Sequence, residues 1–232
     1  MKKFSIIIMA LVLVLTLSAC KSKDKAEKQD KTADKNTQQE VKVGKDEVVA
    51  DDKPVVDINN HQILGGHYNT MYVQTKMQLH QYGQDVNDKK SVKKQTLDGL
   101  IAQELLRQEA VSKGIKVSDK DVDQELQKVK EENKEQFKDY LKQFKLTEKD
   151  YKEQIKYSMI LNKYVDKEVK TPKVTDKEVK DTFNTLKKQN KDMKFDDVKD
   201  SIKQSLVQQK QNEELQAKLK DLKKDAKIKK RI

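Results

Sequence analysis

Leu97-Asp98-Gly99-Leu100-Ile101-Ala102-Gln103-Glu104-Leu105-Leu106-Arg107-Gln108-Glu109-Ala110 decides the fold class. Leu97, Leu100, Ile101, Leu105 and Ala110 fall on one side of a helix covering about 88–113, and Gly114 follows at the C-cap position. Beyond it, Ser118 reads as an N-cap with Asp121 in the first turn of a helix carrying Val122, Leu126 and Val129. A further helical piece holds Phe137, Tyr140, Leu141 and Phe144. Thr147 with Asp150 opens a helix bearing Ile155, Met159, Ile160 and Tyr164 on one face, which Pro172 breaks. Thr175 and Glu178 form a capping box, and a last helix runs over about 195–224 with a polar gap at 208–214. Toward the N-terminus, Tyr68, Met71, Tyr72, Thr75 and Leu79 mark a helix over about 66–81 that Gly83 stops. Val55-Val56-Asp57-Ile58 before it is β-type, with Asn59-Asn60 as a turn. Ala226, Ile228 and Ile232 alternate with basic residues at the other end. The chain therefore reads as mainly α, multi-helix, beginning and ending its folded part in short strands.

The composition supports that class. Of 232 residues, only six are Gly and two Pro, and no Gly follows Gly114. Sandwiches and doubly wound enzymes need turn and phosphate-loop glycines throughout, so both are excluded. One Cys rules out a disulfide framework and a CxxC pair. Charged residues are 38% of the chain, the formal net charge is +11, and Trp is absent, so the core must be thin.

Residues 1–20 stand apart. Lys2 and Lys3 precede an uncharged run from Phe4 to Cys20, shorter than the roughly 20 apolar residues of a spanning helix. It closes with Leu17-Ser18-Ala19-Cys20, which resembles the bacterial lipobox. That resemblance implies diacylglyceryl transfer to the Cys20 thiol and cleavage that leaves acylated Cys20 as the first mature residue. Two acyl chains supply stable anchoring where one does not. The expected setting is the extracytoplasmic face of a bacterial cell membrane. Residues 21–53 carry nine Lys and nine Asp/Glu and no aromatic residue, and read as a disordered charged tether. The folded region is then 54–232, with a basic excess of nine.

The order of these elements resembles the SurA- and PrsA-type extracytoplasmic chaperones. Val55-Val56-Asp57-Ile58-Asn59-Asn60 is similar to that family's opening strand and turn, whose pair is usually Asn-Gly. Leu97 through Ala110, with the exit Lys113-Gly114-Ile115-Lys116-Val117-Ser118-Asp119, is similar to its most recognisable helix. Leu146-Thr147-Glu148, Val174 through Val179, and Phe195 through Ile228 follow in family order. The resemblance implies that the first and last strands pair. It also implies a parvulin-type prolyl isomerase domain before the last helix, but only residues 187–194 lie there, and no His or Gly follows Gly114. A chaperone module without isomerase activity is expected.

The resemblance implies unfolded or partly folded exported proteins as partners. Slender helices with little apolar material are expected to leave clefts, which mark partner sites. Tyr68, Met71, Tyr72, Met77, Tyr151, Tyr157, Met159 and Tyr164 are the candidate client-binding residues, because Met adapts and Tyr combines a ring with a hydroxyl. The same periodic positions also read as helix packing, and the sequence leaves both open. A homodimer stays open too. Nucleic acid is not an expected partner, since Arg107 and Arg231 are the only arginines. No cofactor, catalytic constellation or metal site is expected: His61, His67 and His80 make no i,i+4 pair, and the one Cys is committed to lipid. The alternatives are a surface lipoprotein holding one specific partner and a degenerate prolyl isomerase.

Overall fold

The computed structural model describes residues 41–169 and 172–232. The elements are β1 (Pro54–Ile58), β2 (His61–Leu64), α1 (Gly65–Gln81), α2 (Lys89–Ser112), α3 (Asp119–Gln143), α4 (Glu148–Glu168), α5 (Asp176–Gln189), α6 (Phe195–Asp225) and β3 (Ile228–Lys230). The mainly α class read from the sequence is what the chain adopts. Cys20 with its lipobox, the segment before it and most of the expected tether lie outside the described residues.

Helix starts follow local chemistry. Ser118 with Asp121, Thr147 with Asp150 and Thr175 with Glu178 all form reciprocal capping boxes, and the Asp88 side chain accepts from the N–H groups of Lys90 and Ser91. Gly83 and Gly114 take positive φ after α1 and α2, where a side chain would be strained. α3 consists of two helical pieces that meet at a sharp kink at Lys134 (φ 40°, ψ −111°), in keeping with the separate piece read around Phe137 and Phe144.

The strands at the two ends of the folded region pair. The sheet order is β2-β1-β3, all antiparallel, with Val56 opposite Lys230 and Ile58 opposite Ile228. The turn residue Asn59 sits at φ 55°, a conformation asparagine tolerates, and its side chain accepts from the Lys227 N–H at 3.0 Å. β2 was not evident from alternation; its strand state comes from pairing with β1.

Apolar side chains gather in three separate clusters. The largest joins β1, α1 and α2 with the C-terminal halves of α4 and α6, around Val55, Ile58, Tyr72, Val92, Leu100 and Leu219. A second lies between α3 and the start of α4, around Leu126, Phe137, Leu146 and Tyr151. A third lies between α5 and the start of α6, around Val179, Phe183 and Ile202. The molecule is thus a body with two helical-hairpin arms, α3–α4 and α5–α6. Ion pairs stitch each arm along its length: Lys152–Asp123, Lys156–Asp119 and Lys130–Glu148 in the first, Lys210–Glu178 in the second. α5 passes to α6 through residues 190–194 alone, so no domain is inserted there.

The packed region also begins earlier than the composition implied. Residues 41–53, expected as tether, lie along α1 as an irregular strap, with Val43 and Val49 against the main cluster. Glu47, only 7% exposed, is the reason: its ion pair with Lys76 needs a partner on α1 that local composition does not reveal.

Candidate functional site

The eight expected client-binding residues do not form one open surface. Tyr68, Tyr72 and Tyr164 are 2%, 1% and 3% exposed in the main cluster, and Tyr151 is 5% exposed inside the α3–α4 arm. For these four, the expectation of an exposed lining is corrected. Their rings fill the cores of a chain without Trp, and burial at helical spacing outweighs the adaptability that suggested a groove. Met71 packs against the main cluster, while Met77, Tyr157 and Met159 are half-buried on α1 and α4. Among the described residues the buried Tyr157 hydroxyl has no hydrogen-bond partner, and burial pushes its pKa upward.

Partly exposed apolar surface lies on the body at Leu64, Tyr82 and Val111, and on both arms. In the first, Tyr140 and Phe144 rings are 4.5 Å apart, and Tyr140 meets the Tyr151 ring edge-on at 5.7 Å. Tyr140, Leu141, Phe144 and Ile155 are only half-buried around that cluster. In the second, Phe195 meets Phe183 edge-on at 5.2 Å, and Met193, Phe195, Val198 and Leu206 are half-buried, with Leu186 36% exposed nearby in sequence on α5. Lys187 and Lys199 stand over the Phe183 and Phe195 rings at 5.4 and 6.0 Å. Each arm therefore has a few fully buried residues and a wider apolar rim, with cations beside the second. Such a surface can bind apolar segments loosely without a shaped pocket.

Two buried polar assemblies escaped the sequence reading. On α2, the Glu104 carboxylate takes two bonds from Arg107, each 2.7 Å, and one from Gln108 at 2.6 Å, with His61 at 3.2 Å. Burial pushes this carboxyl up, but those donors outweigh it and hold it below its usual range. Gln108 also donates to the Ile58 carbonyl, so the network fixes the β1–β2 turn to α2. On α1, Glu47 accepts from Lys76 at 2.5 Å and from the Tyr72 hydroxyl at 2.8 Å. Burial again pushes the Glu47 carboxyl up, and Lys76, the Gly44 N–H and Tyr72 together bring it below the usual value. The Tyr68 hydroxyl beside this segment is pushed up to about 12, by burial first and then by the Glu47 charge.

Among the described residues there is no group of three or more His, Cys, Asp or Glu placed to hold a metal ion. Among them, too, no helix is long and apolar enough to cross a membrane.

Comparison with known proteins adds to this geometry. The family model for the SurA-like N-terminal domain matches residues 2–165. A "Foldase protein PrsA" of Caldanaerobacter subterraneus subsp. tengcongensis is 34% identical over 137 residues, covering 53% of this chain and 44% of the relative. A "Foldase protein PrsA 2" of Bacillus anthracis is 38% identical over 81 residues, covering 34% of this chain and 27% of the relative. The chain thus spans less than half the length of these curated relatives.

Proposed function

The chain belongs to the SurA-like N-terminal domain family, and from that premise we propose that it is a membrane-anchored extracytoplasmic chaperone that holds non-native exported polypeptides. The observation that carries the reading is the division of apolar material into three clusters, two of them in arms with half-buried aromatic rims. A chain with one sealed core would offer a client nothing apolar; these arms offer Tyr140 and Phe144 on one side and Phe195 on the other. The names of the two relatives, both foldases, support the same class. Anchoring through acylated Cys20 is supported by the Leu17-Ser18-Ala19-Cys20 pattern. The direct join of α5 to α6 supports action without prolyl isomerisation.

The test is aggregation of a chemically unfolded reporter. The full chain at stoichiometric ratio slows it, Leu141→Ser with Phe144→Ser weakens that effect, and prolyl isomerisation stays at background. Unchanged aggregation at that ratio would end the chaperone reading. A membrane pull-down that returns one folded partner at fixed stoichiometry would favour a dedicated interaction lipoprotein instead.

A further inference from the structure

Residues 42–53 run antiparallel to α1 without forming a helix or strand. The contacts advance in register. The Gly65 N–H donates to the Lys53 carbonyl at 2.8 Å, and the Gly66 N–H to the Asp51 carbonyl at 2.9 Å. These carbonyls cap α1, whose N-cap residue Leu64 offers no side-chain bond. One turn on, Asn69 reads the main chain of Val49 on both sides: its Oδ1 accepts from the Val49 N–H at 3.0 Å, and its Nδ2 donates to the Val49 carbonyl at 2.8 Å. Further along, Glu47 enters the buried site of Tyr72 and Lys76, and Lys76 also donates to the Lys42 carbonyl at 2.8 Å. Val43 and Val49 pack onto the cluster that contains Tyr68 and Tyr72.

This is how a receptor binds a short peptide that carries a turn, here closed by the Glu47 N–H on the Gly44 carbonyl at 3.0 Å. A side-chain amide pairs with the backbone irrespective of sequence, apolar positions seat two valines, and a buried cation with a tyrosine hydroxyl selects a carboxylate between them. Tyr68 and Tyr72, which the sequence suggested as client-facing, are buried partly because this strap covers them; Glu47 and Val49 line the same small depression as both rings.

We propose that residues 42–49 are a self-client: they occupy a peptide-binding surface on α1, and a segment of a non-native polypeptide that can make the same turn, with a carboxylate between apolar residues, displaces them. That a client takes their place rests on the chaperone reading above; that the surface binds such a peptide does not. The strap lowers the apparent affinity by the fraction of molecules in which it is lifted. The surface therefore opens only to segments that compete with an intramolecular ligand. Polar or basic segments, which cannot satisfy Lys76, are refused.

The experiment uses the full chain and two probes. The first is a fluorescent peptide of residues 41–53 added in trans. Glu47→Gln with Val49→Ser weakens the strap and leaves Tyr68, Asn69, Tyr72 and Lys76 untouched; it is expected to bind the peptide at least about tenfold tighter than the unaltered chain. A peptide with Gln in place of its glutamate is expected to lose most of that binding. The second probe is an unfolded reporter added to the unaltered chain, with hydrogen exchange read at the Val49 amide. Capture of the reporter is expected to speed exchange there. Equal peptide binding by both proteins, or capture with Val49 exchange unchanged, overturns the proposal. If no reporter is captured but the peptide still follows the state of the strap, the chaperone reading falls and the peptide-binding surface stands.

Discussion

The ammonium of Lys76 and the carboxylate of Glu47 stand 2.5 Å apart with side chains 7% and 3% exposed, although 29 residues separate them in the chain. A buried ion pair contributes little relative to apolar residues of like shape, but removing one member strands the other. Lys76→Met and Glu47→Leu, each made alone, are expected to destabilise the full chain by about 3–5 kcal/mol, whereas the two combined lose much less. Urea midpoints for the two singles and the double decide it. Additive losses would show that the two groups do not act as a pair.

Lys134 holds a backbone conformation that only glycine adopts without strain. Lys134→Gly is expected to stabilise the α3–α4 arm by about 1 kcal/mol, the strain relieved exceeding the entropy glycine adds to the unfolded chain. A drop in the thermal midpoint on this substitution would show that the kink carries no strain.

Three separate clusters predict three separable unfolding events. Phe137→Ala and Phe183→Ala each remove a ring from one arm, a change that costs about 3–5 kcal/mol in a packed core. Hydrogen exchange is expected to accelerate in the affected arm alone and to stay unchanged in β1 and α2. Uniform acceleration over the whole chain would mean one cooperative core.

Glu178 supplies a pH test. Lys210 first, then the Thr175 N–H and hydroxyl, hold its carboxyl down to about 2, from an ordinary 4.5. A folded value below the unfolded one means the contribution is fully present above pH 4.5 and is lost as pH falls through about 2. The carboxyl carbon shift of Glu178 is expected to titrate near that value, and Lys210→Met to move it back toward 4.5. A midpoint already at the ordinary value in the unaltered chain would contradict the pairing.

Local chemistry was readable in the sequence, and of the long-range contacts only the pairing of the first and last strands was expected, from the family resemblance. Ser118 with Asp121, Thr147 with Asp150 and Thr175 with Glu178 place helix starts because each cap is complete within four residues. Alternation at Ile228 and the Val55-Val56 run marked the first and last strands for the same reason. The strap escaped because Glu47 and Val49 find their partners at Lys76 and Asn69, beyond any local window. The helical spacing placed Tyr68 and Tyr72 on the apolar face of α1. Periodicity marks which side of a helix is apolar, but it does not say what lies on top of that side, and here the chain itself does.

The length of α6 has a mechanical consequence. It is rooted in the main cluster at Leu215 and Leu219, and it carries the third cluster near its far end at Ile202. From Leu215 out to Phe195 a straight helix extends about 30 Å, so a tilt of about 5° at the root swings the far end by roughly 3 Å. Among the described residues, the intervening Gln209, Gln211 and Asn212 belong to none of the three apolar clusters. Such a boom lets the span between the two hairpins stretch or narrow without disturbing the sheet that β3 closes beneath it.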